Sequence, residues 1–247
     1  LPDRWFLVAR DAFNGTFRWQ VPISRWGWRE WKKSWFSPRP GGIPLNIQKK
    51  LVVDGDRVFV TLGYHAPVSV LEARTGRIMD TWEHTNPTLE ILHHEGTLIL
   101  SVLESDERLK VVALDASCGK KRWETAKTYG GTEVDYYRWR AMRGRIEPAD
   151  IDPTLNSATD GEAVALIDGD SVVCIDYGTG AERWRKAFPL EKADLTAGNI
   201  KTGGNLWTGT MIVTGGVVLH ASPHKLAAFS AKTGDILWER PKAYIGH

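Results

Sequence analysis

Several features are scarce in these 247 residues. Only two cysteines occur, Cys118 and Cys174, too few for a disulfide framework. They fall at different points of the repeat described below, so each reads as a small packed or turn residue. No apolar run approaches the roughly 20 residues that span a bilayer, so no transmembrane segment is expected. The formal net charge is only +2, which implies no global attraction to a polyelectrolyte, and no nucleic-acid partner is expected. Walker loops, nucleophile elbows and zinc-binding helix motifs do not occur. The chain opens Leu1-Pro2-Asp3-Arg4, without an initiator Met or a basic-then-apolar leader. The expectation is a chain processed or cut from something longer, whose own residues leave its compartment open.

Tryptophan is abundant, with 12 residues, and glycine reaches 24. Their positions repeat. Five segments each carry a short apolar run, a polar residue, a turn glycine and then a tryptophan. The pairs are Gly15/Trp19, Gly76/Trp82, Gly119/Trp123, Gly180/Trp184 and Gly234/Trp238. Tryptophan stands four residues after glycine in four copies and six after it in the second. Four residues before glycine stand Asp11, Glu72, Asp115 and Asp176, with Ser230 in the fifth copy. The apolar run suits a strand, glycine supplies the positive φ of a tight hairpin, and the acid can accept backbone N–H groups there. These acids are therefore read as structural.

A second hairpin precedes each later copy, turning at Asp54-Gly55, Glu95-Gly96, Asp160-Gly161 and Gly215-Gly216. Each full unit is four short strands in about 35 residues, the grammar of a propeller blade. The reading is all-β: a half blade over 4–20 and blades over about 49–84, 88–126, 154–188 and 207–241. That is about four and a half blades, expected to be a fragment of a larger ring.

The run from Ala113 to Trp123, Ala-Leu-Asp-Ala followed by glycine and tryptophan, resembles the pyrroloquinoline quinone (PQQ)-like propeller repeat. That family includes quinoprotein dehydrogenases and quinone-free members such as the propeller lipoprotein of the outer-membrane β-barrel assembly machine. The resemblance implies that Trp19, Trp123, Trp184 and Trp238 dock between adjacent blades. Trp82, slipped to six residues after its glycine, is kept among the repeat residues, and its docking role is left open. A periplasmic or extracytoplasmic location is implied by resemblance alone.

In an up-and-down blade, the first and third turns leave one face of the disc, and the second turn and the crossings leave the other. Here the first and third turns are tight, and the long insertions, at about 22–48, 125–158 and 188–206, are crossings. They should share one face, where binding usually resides. The first carries Trp28, Trp31 and Trp35 at helical spacing, with seven basic residues against one acid from 24 to 50. The second gathers Glu133, Asp135, Tyr136, Tyr137 and Trp139, and the third contributes Trp207. His65 and His224 sit in second turns on the same face, without the companions a metal site needs. His93 and His94 lie beside a tight turn, on the other face.

The expected function is non-catalytic binding or scaffolding, of a protein or a small polar ligand, on the inserted face. Two alternatives remain open: a PQQ-dependent dehydrogenase and a carbohydrate-binding propeller. No catalytic residue or cofactor is expected; PQQ and calcium belong only to the first alternative. Such dehydrogenases commonly place adjacent cysteines beside the quinone, and the sequence has no such pair.

Overall fold

Each apolar run becomes a strand, and each glycine turn folds it back on its successor. The computed structural model describes residues 4–27, 30, 49–105, 108–128, 157–169, 171–188, 210–221 and 225–241. Among these residues the strands form one two-stranded and four four-stranded antiparallel sheets, each strand paired with its chain neighbour. The first sheet is β1 (Trp5–Arg10) and β2 (Phe17–Ile23). The first full blade is β3 (Leu51–Asp54), β4 (Arg57–Thr61), β5 (Val68–Glu72) and β6 (Ile78–Trp82). The second is β7 (Thr88–His94), β8 (Thr97–Ser105), β9 (Arg108–Asp115) and β10 (Lys121–Thr128). The third is β11 (Ser157–Thr159), β12 (Ala163–Asp168), β13 (Ser171–Asp176) and β14 (Glu182–Ala187). The fourth is β15 (Thr210–Thr214), β16 (Val217–Ala221), β17 (Lys225–Ser230) and β18 (Ile236–Pro241). This is a β-propeller segment of a half blade and four blades. Strands β2 and β10 run to Ile23 and Thr128, a few residues past the half-blade and blade ends read from the repeat.

The inner strands β3, β7, β11 and β15 touch in succession, so the blades stand side by side. The core lies between them, in layers, because side chains alternate along a strand and both faces of a central strand are covered. Val58 and Val60 of β4 pack toward the half blade with Trp19, whereas Phe59 packs toward the second blade with Trp82. Leu98 and Leu100 of β8 face Trp82, and Ile99 faces Trp123 and the third blade. Val172 and Cys174 of β13 join Trp184 and the fourth blade, while Val173 and Ile175 join Trp123. One tryptophan thus sits in each of the four interblade layers.

Candidate binding face

The interblade tryptophans define the geometry on which the faces rest. A Cβ built on Gly76 would lie 2.6 Å from the Trp19 ring, on Gly180 2.6 Å from Trp123, and on Gly234 2.7 Å from Trp184. Each indole lies flat on the turn glycine of the following blade, a position any side chain would close. The indole Nε1 also donates to the carbonyl three residues before that glycine: Trp19 to Ala73 at 2.8 Å, Trp123 to Tyr177 at 2.8 Å and Trp184 to Ala231 at 3.0 Å. Opposite the tryptophan across the hairpin stand the small residues Ala9, Ala113, Cys174 and Ala228.

Trp82 takes the docking role that its spacing left open. It is 5% exposed and packs on Gly119 like the others. Asp80 occupies the usual register position opposite Val70, and Trp82 lies two residues on. Two is the side-chain period of a strand, so the slip keeps the indole on the same face. Its hydrogen bond changes instead. Trp82 Nε1 donates to Asp80 Oδ2 at 2.9 Å, and Arg57 Nη1 takes the Ala116 carbonyl at 3.1 Å.

The acids before the glycines close their own turns. Asp176 Oδ1 accepts the Gly178 and Thr179 N–H groups, and its Oδ2 accepts Arg183 at 2.7 Å. The Arg183 guanidinium and the Thr179 hydroxyl hold this carboxyl below the usual carboxylate range. Asp11 pairs likewise with Arg18 at 2.6 Å, and Asp115 with Arg122 at 2.7 Å. The arginine directly precedes the tryptophan in all three copies, a signal present in the sequence and not read from it. First and third turns are then tied backbone to backbone, Ala73 to Asp56, Ala116 to Gly96, Tyr177 to Glu162 and Ala231 to Gly216. His93 and His94 lie on this face, His93 Nε2 3.2 Å from Asp54 Oδ2 and the His94 ring over Gly161. Asp11, Asp115 and Asp176 thus close turns here, and His93 and His94 make interblade contacts.

The described ends of the crossings lie at the opposite face. From the first crossing, Ser24 N–H donates to the Leu62 carbonyl at 3.1 Å, and the Arg25 carbonyl accepts Tyr64 N–H at 3.2 Å. These bonds hold the root of the first insertion against the second turn of the first full blade. Beside it, His65 stacks on Tyr64 with centroids 4.5 Å apart, and Trp26 meets Tyr64 edge-on at 6.5 Å. Lys50 is buried below, its Nζ donating to the carbonyls of Tyr64 at 2.6 Å and Thr88 at 3.2 Å. His65 is therefore exposed on an ordered aromatic and cationic base.

A buried polar group underlies the same face. Glu90, 1% exposed, accepts Lys49 Nζ at 3.0 Å, Ser101 Oγ at 3.2 Å and Ser157 N–H at 3.3 Å. Asp168 accepts Arg185 at 2.8 Å. Lys127 is buried close to both acids, and its Nζ makes no hydrogen bond to the described residues. Burial lowers its ammonium below the ordinary lysine range, against the pull of Glu90 and Asp168. His220 is also buried, against Phe188, and burial pushes its imidazole down to about 4. Sequence reading missed Trp26, Glu90, Lys127 and His220. Of the residues it proposed for this face, the structure places His65. Trp28, Trp31, Trp35, Glu133, Asp135, Tyr136, Tyr137, Trp139, Trp207 and His224 lie outside the described residues.

A family described as outer membrane protein assembly factor BamB matches residues 6–134 and 136–244. The chain belongs to this family. Its fold is similar to BamB from Moraxella catarrhalis, with TM-score 0.52 and 17% identity, covering 96% of this chain and 66% of that one. It is also similar to the quinohemoprotein alcohol dehydrogenase ADHIIG from Pseudomonas putida HK5, with TM-score 0.53 and 14% identity, covering 96% and 39% of the two chains. A europium-containing methanol dehydrogenase gives TM-score 0.52 at 12% identity, covering 99% and 50%. The chain spans less than two thirds of the length of each of these proteins. Among curated proteins no sequence relative matches. Among the described residues no helix is long and apolar enough to cross a membrane.

Proposed function

We propose that this chain is a binding or scaffolding propeller that holds a protein partner on its inserted face, in an extracytoplasmic compartment. The observation that carries the reading is the asymmetry of the two faces. One is built of tight turns whose Asp11, Asp115 and Asp176 carboxylates are each engaged by an arginine. The other receives the described ends of the crossings, and the root of the first is pinned there by Ser24 and Arg25. Rigid scaffolds bind through such loops. Membership of the BamB family supports a protein partner and an envelope location.

The quinone alternative lacks support from the two cysteines. Cys118 is exposed in a third turn, and Cys174 is buried on β13 with its thiol directed at the Ala231 carbonyl. They belong to different blades and cannot form an adjacent pair.

A photo-crosslinking residue placed at His65 or at Arg74 tests the assignment. Both sites are exposed and belong to the same blade, at opposite faces. In cell envelopes of the source organism, position 65 should yield a discrete protein adduct and position 74 none. Adducts from position 74 alone, or equally from both, would overturn the assignment.

A further inference from the structure

The ends of two insertions converge on one buried carboxylate. Glu90 stands on the inner strand β7 and is 1% exposed. Its Oε1 accepts Lys49 Nζ at 3.0 Å and the Ser157 N–H at 3.3 Å, and its Oε2 accepts Ser101 Oγ at 3.2 Å. Lys49 stands where the first insertion returns to the sheet, just before β3. Ser157 opens β11, where the second insertion returns. Lys127 lies near the end of β10, where the second insertion departs. Three blades therefore contribute polar groups around Glu90.

Lys127 is a second cation for the same carboxylate. It is 5% exposed, and its Nζ makes no hydrogen bond to the described residues. Ser157 Oγ, next to the N–H that Glu90 accepts, makes none among them either. Glu90 attracts the Lys127 ammonium more strongly than Asp168 does, and Lys49 repels it. Asp168 is already engaged by Arg185 at 2.8 Å. A buried ammonium without a partner is costly, and so is a buried carboxylate that loses one. Lys49 is the cation that can leave, because its side chain is 32% exposed and water can solvate it.

We propose that Glu90 exchanges between two lysines: it holds Lys49 in the arrangement described above, and it takes Lys127 when the first insertion draws Lys49 away. A partner that pulls on the first insertion is thereby felt where the second one leaves its blade. Coupling of this kind needs an element with two discrete arrangements, and one carboxylate between two cations supplies it. Its use in binding rests on the inserted-face reading; the exchange itself does not.

Urea unfolding of Lys49→Met, Lys127→Met and the double variant tests the exchange, in the wild-type chain and with Glu90→Gln. Each single variant should keep the fold, because the remaining lysine serves Glu90. The double variant leaves the carboxylate without either lysine. Its unfolding constant should exceed the product of the two single effects by at least about tenfold. With Glu90→Gln the same pair should multiply to within about twofold, since no charge is left to compensate. A double variant that does not fold, while the triple variant with Glu90→Gln does, supports the exchange equally. Single effects that simply multiply in the wild-type chain would overturn it. So would an excess that persists with Glu90→Gln, or a triple variant that also fails to fold. No partner enters these measurements, so failure here leaves the crosslinking test of the inserted face untouched, and the reverse holds too.

Discussion

Replacing Gly180 by alanine tests the interblade contact where its geometry is complete. Two costs arise. The residue sits at φ +72°, where a Cβ costs about 1–2 kcal/mol. The added methyl would also stand 2.6 Å from Trp123, a ring only 7% exposed and held by a 2.8 Å bond to the Tyr177 carbonyl. Pushing the indole to normal contact distance costs about 1–3 kcal/mol in repacking. Weakening its hydrogen bond adds roughly 1 kcal/mol. Gly180→Ala should therefore lose about 3–6 kcal/mol. Gly15→Ala is the internal control. Its φ of +71° is the same, but no atom of the described residues lies within 4 Å, so it should lose only the backbone cost of about 1–2 kcal/mol. Urea unfolding followed by far-UV circular dichroism, at dilute protein, gives both numbers. With a slope of roughly 2–3 kcal/mol/M, the midpoints should differ by about 1 M. Two variants within about 0.5 kcal/mol of each other would refute the idea that indole-on-glycine packing joins the blades, since that is the scatter of neutral substitutions.

Other outcomes follow from the buried groups. His220 is held neutral by burial, its pKa lowered from 6.5 to about 4. Above pH 6.5 it is neutral both folded and unfolded; as pH falls, the unfolded chain gains its proton first. Stability should drop by roughly 3 kcal/mol between about pH 6.5 and pH 4, and His220→Leu should flatten that part of the urea-midpoint profile. Lys127→Met removes a buried ammonium while Glu90 keeps Lys49 and Asp168 keeps Arg185; its melting temperature should equal or exceed that of wild type, and a fall of several degrees would show a pairing role. In the native protein a thiol reagent should modify Cys118 rapidly and Cys174 only on unfolding, because burial pushes the Cys174 thiol up to about 11.

The propeller was legible because its signals are local. A glycine at positive φ, an Asp that accepts the next N–H groups and a tryptophan on the return strand all fall within twelve residues. The role of Trp82 stayed open because its distance is counted from the glycine, whereas the strand counts in twos. Asp80 then takes the usual position, and Arg57 takes the freed carbonyl. The small residue opposite each tryptophan, including Cys174, makes room for the indole, a relation visible only once the hairpin register is known. Glu90 was unreadable for another reason. Between Leu89 and Ile91 it looks like the solvent face of an alternating strand, but both faces of β7 are covered, and Lys49, Ser101 and Ser157 reach it from distant segments. Trp26 meets Tyr64 across a crossing and the second turn of the next blade, a pairing that no local spacing encodes.

The most direct test of the inserted-face assignment uses the protein's own thiol. Cys118 is exposed on the turn face, so wild type carrying a bulky maleimide there should still bind the partner captured at position 65. In a Cys118→Ser background, the same label at His65→Cys should abolish that binding. Loss of binding from the Cys118 label, with binding retained by the label at position 65, would contradict the account.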